Sequence, residues 1–240
     1  NEGAVRTFSE LTENAYEARG HYRIQLGGIG RSLAIKVGGL GRHGTRNADS
    51  YAYSINATTI PQADRELSPE SIFDGRYTGA GDNVWRVTPI GVGGAYTASD
   101  YTVAGFGMIE KEFGPRWQLI TGARVEYSDV LVKAVPTIGA TTSTNPVFTD
   151  VLPAIALTFR PTETMNLRVS ASQTVSRPEY RELAPIQYRE VMGFDNVLGN
   201  PDLQRALIQN YDFRWEWYPG AGEALSVGLF AKRFTNPIER

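Results

Sequence analysis

Hydrophobic side chains in this chain recur with a period of two. From Trp117 to Tyr127 the odd positions read Trp117, Leu119, Thr121, Ala123, Val125 and Tyr127, and the even ones Gln118, Ile120, Gly122, Arg124 and Glu126. Successive side chains of a strand point to opposite sides, so this stretch has one apolar and one mostly polar face. Asn210 to Trp217 repeats the pattern, with Tyr211, Phe213, Trp215 and Trp217 facing away from Asn210, Asp212, Arg214 and Glu216. A helix would scatter those aromatics around its circumference. Leu167, Val169 and Ala171 alternate with Asn166, Arg168, Ser170 and Ser172, and Leu225, Val227 and Leu229 with Ser226 and Gly228. Template matching predicts about eight strands, at roughly 5–26, 31–54, 94–113, 116–135, 147–160, 164–180, 205–218 and 223–236. Most exceed the ~5–6 residues common in soluble sheets.

The connections alternate in length. Short turns are expected at Gly27-Gly28-Ile29-Gly30, Gly114-Pro115, Pro161-Thr162-Glu163 and Pro219-Gly220-Ala221-Gly222. Long loops fall between them, at roughly 55–93, 136–146 and 181–204. The first contains Ser68-Pro69-Glu70, a cap with proline at the first helical position, which predicts a short surface helix. Turns on one rim and loops on the other describe an antiparallel up-and-down meander. With strands longer than the ~9–11 residues that cross a bilayer at a tilt, the predicted fold is all-β, a transmembrane β-barrel wall.

Composition removes other classes. Lys+Arg 24 against Asp+Glu 26 leaves no basic excess for nucleic acid. No apolar run approaches the ~18 residues of a spanning helix; the most apolar stretch, Val151 to Phe159, is broken by Pro153. With no cysteine and only His21 and His43, neither thiolate nor histidine metal sites are expected, and no cofactor is expected. Gly39-Leu40-Gly41-Arg42-His43-Gly44 matches a dinucleotide fingerprint, but Thr45 to Ile55 reads as extended chain where that fingerprint needs a helix. Glu179 and Glu182 read as solvated loop carboxylates rather than an acid/base pair. No catalytic constellation is present, so no enzymatic activity is expected.

Alternation does not say which face is buried, since a soluble sandwich turns its apolar face inward and a membrane barrel turns it to lipid. Large aromatics gather beside the short turns: Phe113, Trp117, Phe159, Trp215, Trp217 and Tyr218. That placement fits an interfacial girdle. The opposite face carries Arg124, Glu126, Arg214, Asp212 and Glu216, suited to a wet lumen.

Two series of motifs are more specific. Ser176-Arg177-Pro178-Glu179-Tyr180-Arg181-Glu182-Leu183-Ala184-Pro185 is followed by Leu198-Gly199-Asn200-Pro201-Asp202-Leu203 and by Asn210-Tyr211-Asp212. Earlier come Leu67-Ser68-Pro69-Glu70-Ser71-Ile72-Phe73 and Gly122-Ala123-Arg124-Val125-Glu126-Tyr127. In this order, across about residues 8–239, they resemble TonB-dependent outer-membrane receptors of Gram-negative bacteria. The resemblance implies a barrel of about 22 strands around an N-terminal plug, located in the bacterial outer membrane. It also implies energy-coupled import of a scarce ligand (siderophore, vitamin or glycan), with TonB as partner through an N-terminal region and outer-membrane lipid as surroundings. Residues 1–240 are then expected to form part of the barrel domain, about eight strands without plug, TonB box or closing C-terminal strand. Arg124, Arg168 and Arg214 are candidate wall residues on the ligand path, and Arg177, Tyr180, Arg181 and Tyr188 candidate loop residues; solvation or salt bridging along a polar wall is the plainer role for each. Two rival readings stay open: a small closed barrel acting as passive pore or anchor, and a soluble β-sandwich that binds carbohydrate on its aromatics.

Overall fold

The computed structural model describes residues 4–27, 32–57, 59–72, 84–189 and 196–238. Eight long antiparallel strands form one curved sheet, a half-barrel: β1 (Ala4–Leu26), β2 (Leu33–Ala57), β3 (Trp85–Phe113), β4 (Trp117–Pro136), β6 (Val147–Phe159), β7 (Met165–Ser176), β10 (Ala206–Trp217) and β11 (Leu225–Thr235), each beside its predecessor. Three short strands decorate the long loops: β5 (Thr142–Thr144) pairs β4, and β8 (Gln187–Arg189) and β9 (Asn196–Leu198) form a small hairpin touching β3. The expected helix after Ser68 is α1 (Pro69–Ile72), preceded by a 3-10 turn at Gln62–Glu66. The expected turn at Gly28 to Gly30, and Phe73 of the loop motif, lie outside the described residues.

Every predicted strand is present, and three bounds differ. β3 starts at Trp85 rather than near 94, because its register skips Gly91 and Val92 between Ala52 and Tyr51 of β2 and then continues outward. β2 correspondingly runs on to Ala57. β7 ends at Ser176 rather than near 180, because Arg177 leaves the sheet to meet carboxylates on other strands and Glu179 caps a second helix, α2 (Tyr180–Leu183). The Gly39–Gly44 stretch lies inside β2, extended as expected.

Val37, Val103, Val125, Val151, Val169, Phe213 and Val227, all on the outer face of the sheet, are more than a third exposed. Among the described residues no second sheet covers them. Among the described residues β1 pairs only with β2 and β11 only with β10, so the eight strands do not close on themselves. Neither the sandwich nor the small closed barrel describes this molecule.

The outer face also gives the height of the membrane band. At the short-turn rim Phe113 pairs with Trp117 and Trp117 with Phe159, the last two rings stacked at 4.2 Å. Ten residues further, Tyr127 ends the apolar row of β4 and Asp129 follows. At about 3.4 Å per residue and about 45° of tilt, that row rises about 24 Å, close to the ~25 Å height of an outer-membrane apolar band. Tyr16 and Tyr101, each directly opposite His43, sit two residues above the level of Tyr127 and mark the upper edge. Above them the outer face turns to Asn14, Thr12, Ser99 and Thr97. The strands project well beyond the bilayer on the long-loop side.

Candidate functional site

The inner face of the projecting wall and the 177–205 loop form one unit. On β4 the inward positions are polar through Arg124, Glu126 and Ser128, then become Val130, Val132 and Ala134. Leu183, Ala184 and Ile186 of the loop pack on those three together with Tyr96 and Ala98. Such burial, with Leu183 and Ala184 essentially inaccessible, contributes roughly 1.5–3 kcal/mol per large aliphatic side chain. The loop therefore folds inward against the wall. Asn200 N–H donates to the Glu182 carbonyl at 2.6 Å, and Gly199 passes so close to Ala184 that an added Cβ would lie 1.8 Å from its carbonyl oxygen. Gly199→Ala is expected to cost about 1–3 kcal/mol by overpacking, seen as faster protease cleavage of this loop in an otherwise folded receptor.

Charged side chains fasten both ends of the loop. Glu126 and Asp150 stand directly opposite across β4 and β6. Arg177, entering the loop, donates to both, at 2.8 Å to Asp150. Arg205, leaving it, donates to the other oxygen of Asp150, whose side chain is wholly buried. Arg124 adds Nε to Glu126 at 2.8 Å. Two buried carboxylates thus take three guanidiniums, the condition under which buried charge is tolerated.

A second clamp holds α2. Tyr180 donates its hydroxyl to Asp100 on β3, which also accepts from Arg42 at 2.9 Å. Arg46, bridged to Glu13, lies 4.9 Å over the Tyr180 ring. Gly44 makes the room, since a Cβ there would fall 2.3 Å from Asp100 Oδ1. The last glycine of the fingerprint-like stretch thus serves packing. Glu179 and Glu182 make the capping box of α2, Glu179 N–H donating to Glu182 at 2.8 Å. Around this clamp lies a polar cleft of about 330 Å³ bordered by Glu13, Arg42, Thr102, Ser128 and Glu179.

Burial first, then the bond to the Asp100 carboxylate, pushes the Tyr180 phenol up to about 12 from its ordinary 10.0. A raised folded-state value favours the protonated form, so its contribution to docking is complete below about pH 10 and fades as pH rises through about 12. Loop cleavage by protease is expected to rise in that window in the wild type, and to lose that component in Tyr180→Phe.

The seven candidate residues fall into three places. Arg124, Arg177 and Tyr180 belong to the clamps. Arg168 and Arg214 are directly opposite on β7 and β10 near the short-turn rim, sharing Glu216 at 3.3 and 3.0 Å with their side chains half exposed. Arg181 and Tyr188 lie on the loop, the guanidinium 3.5 Å over the ring. Sequence reading missed Asp100, Asp150, Arg42, Arg46 and Arg205. A signal for loop docking was present: Val130-Leu131-Val132 is apolar on both faces of a strand that has already left the bilayer.

A family model described as "TonB dependent receptor-like, beta-barrel" matches residues 6–240. Among solved structures, the chain is similar to the unliganded ferric citrate transporter FecA, at 14% identity and a TM-score of 0.62 over 98% of this chain and 29% of that one. It is similar to the siderophore receptor PiuA from Acinetobacter baumannii at 12% identity and 0.60, over 92% and 32%. For the ferric yersiniabactin uptake receptor FyuA from Yersinia pestis the figures are 11% and 0.56, over 95% and 30%. No curated protein matches. The chain spans about a third of each of these solved chains. With its lipid-facing band, polar inner wall and a family match over nearly its whole length, the chain belongs to the TonB-dependent receptors of the bacterial outer membrane, within their β-barrel domain.

Proposed function

We propose that this chain is the wall and outer mouth of a receptor that imports a ferric chelate by energy coupling. The observation that carries the reading is one set of strands with a lipid-facing apolar band outside and, inside, a charged wall with a loop folded down onto it. A wet, walled path fits a polar cargo, and the solved structures of like fold are named for ferric complexes and siderophores. The transducing partner is TonB, reached through a part of the receptor outside this stretch. The free edges of β1 and β11 are completed by further strands, since lipid leaves unpaired backbone groups unsatisfied. Arg168 and Arg214 line the path near its inner end, whereas Arg124, Arg177 and Tyr180 hold the mouth in shape. The role is transport, not catalysis.

The test is uptake of radioiron, supplied as ferric citrate, by cells whose only ferric citrate receptor is the full-length protein. Uptake is expected to stop when the proton gradient is collapsed, while binding at the cell surface persists. Uptake that continues without the gradient would mean a passive pore.

A further inference from the structure

We propose that Arg181, mounted on Tyr188, reads a carboxylate-type oxyanion on the incoming ligand and so makes the receptor selective for negatively charged chelates. The inference rests on the import reading above. Most arginines of the inner wall already hold a carboxylate: Arg42, Arg124, Arg177 and Arg205 at the mouth, Arg168 and Arg214 below. Of the seven candidates, Arg181 alone among the arginines meets no carboxylate within ion-pair reach among the described residues. It is exposed, yet its guanidinium is fixed 3.5 Å above a Tyr188 ring that is itself 8% exposed.

The mounting is rigid from both sides. Arg181 sits in the capped helix α2, and Tyr188 pairs with Val197 in the β8–β9 hairpin. Stacking leaves the in-plane N–H fork free, and that fork matches the two oxygens of a carboxylate. Beside it opens a cleft of about 180 Å³ between loop and wall, lined by Leu11, Tyr96, Ala184 and Ile186. The hydroxyls of Ser9 and Ser50, 3.0 Å apart, border the same cleft. Glu10 and Asp49 also reach its edge, but strand alternation turns their side chains to the outer face. The cleft thus offers a preorganised cation that meets no carboxylate among the described residues, two hydroxyls and apolar walls. Its volume admits one arm of a chelate, not a whole one. Charge, rather than shape alone, then separates acceptable cargo from neutral analogues.

Equilibrium binding to the detergent-solubilised full-length receptor decides the matter, with ferric citrate as the anionic probe and a neutral ferric trihydroxamate as the control. The wild type is expected to bind ferric citrate at least tenfold more tightly than the neutral complex. Arg181→Gln should remove that preference, Arg181→Lys should retain part of it, and Tyr188→Leu should weaken it with the arginine still present. Heat-dependent gel mobility confirms that each variant is folded. Equal wild-type affinity for the two probes, or unchanged ferric citrate binding by Arg181→Gln, overturns the proposal. Ferric citrate that is bound through Arg181 but never internalised would instead sink the import reading and leave this one standing.

Discussion

Asp150→Ala is expected to destabilise the outer mouth by about 3 kcal/mol, at the lower end of the range for breaking a buried charge pair. Asp150 is the one carboxylate that holds both ends of the 177–205 loop, Arg177 on one oxygen and Arg205 on the other. Among the described residues, alanine would leave Arg177 with the Glu126 carboxylate and Arg205 with the face of Phe148, 5.2 Å away. Both guanidiniums keep some access to lumen water, with side chains 20% and 26% exposed, which is why the lower end applies. The loop's apolar contacts through Leu183 and Ile186 remain, so its two ends should loosen before its middle does. Trypsin added to intact cells should therefore cut after Arg181, since Arg177 is shielded by Pro178, and after Arg205 several-fold faster than in the wild type, with barrel assembly unchanged. Asp150→Asn, which keeps the shape and loses the charge, should fall between. Unaltered cleavage in Asp150→Ala would show that apolar packing alone holds the loop.

The strands were legible because a barrel wall has two solvents. Where lipid and water face opposite sides of one ribbon, period two is imposed along the span, and Trp117 to Tyr127 displays it with only Ile120 and Thr121 out of place. The clamps were less legible because their partners are distant in sequence. Arg124 and Glu126 are two residues apart on one strand and were readable as neighbours; Arg177 and Asp150 are 27 apart, Tyr180 and Asp100 80 apart, and only register brings them together. The Arg-Pro-Glu-Tyr-Arg-Glu-Leu run pointed to the loop, but its chemistry proved divided. Its first arginine and its tyrosine grip the wall, its glutamates cap a helix one turn long, and its second arginine stacks on Tyr188 with no carboxylate in ion-pair reach among the described residues. Alternation failed to foresee the register skip at Gly91 and Val92 because those positions lie above the membrane band, where neither solvent enforces the period.

Val169→Arg should cost about 2–4 kcal/mol of folding free energy in a bilayer, the range for a cation at the midplane of a barrel's lipid face. Val169 stands four residues above the short-turn rim on β7, about 10 Å up at the usual tilt and so near the middle of the band. Its side chain is half exposed between Leu157 and Phe213, which flank it on the neighbouring strands and offer a guanidinium no charge. The comparison that makes the experiment decisive is one residue away. Ser170 points to the opposite side, among Asp212 and Ala156 on the inner wall, where an arginine would meet water and a carboxylate. Ser170→Arg should therefore leave stability within about 1 kcal/mol of the wild type, as surface substitutions ordinarily do. Urea titration of the full-length receptor refolded into lipid vesicles measures both. A reversed order, with Ser170→Arg the more damaging, would place water on the side assigned to lipid and overturn the orientation of the whole wall.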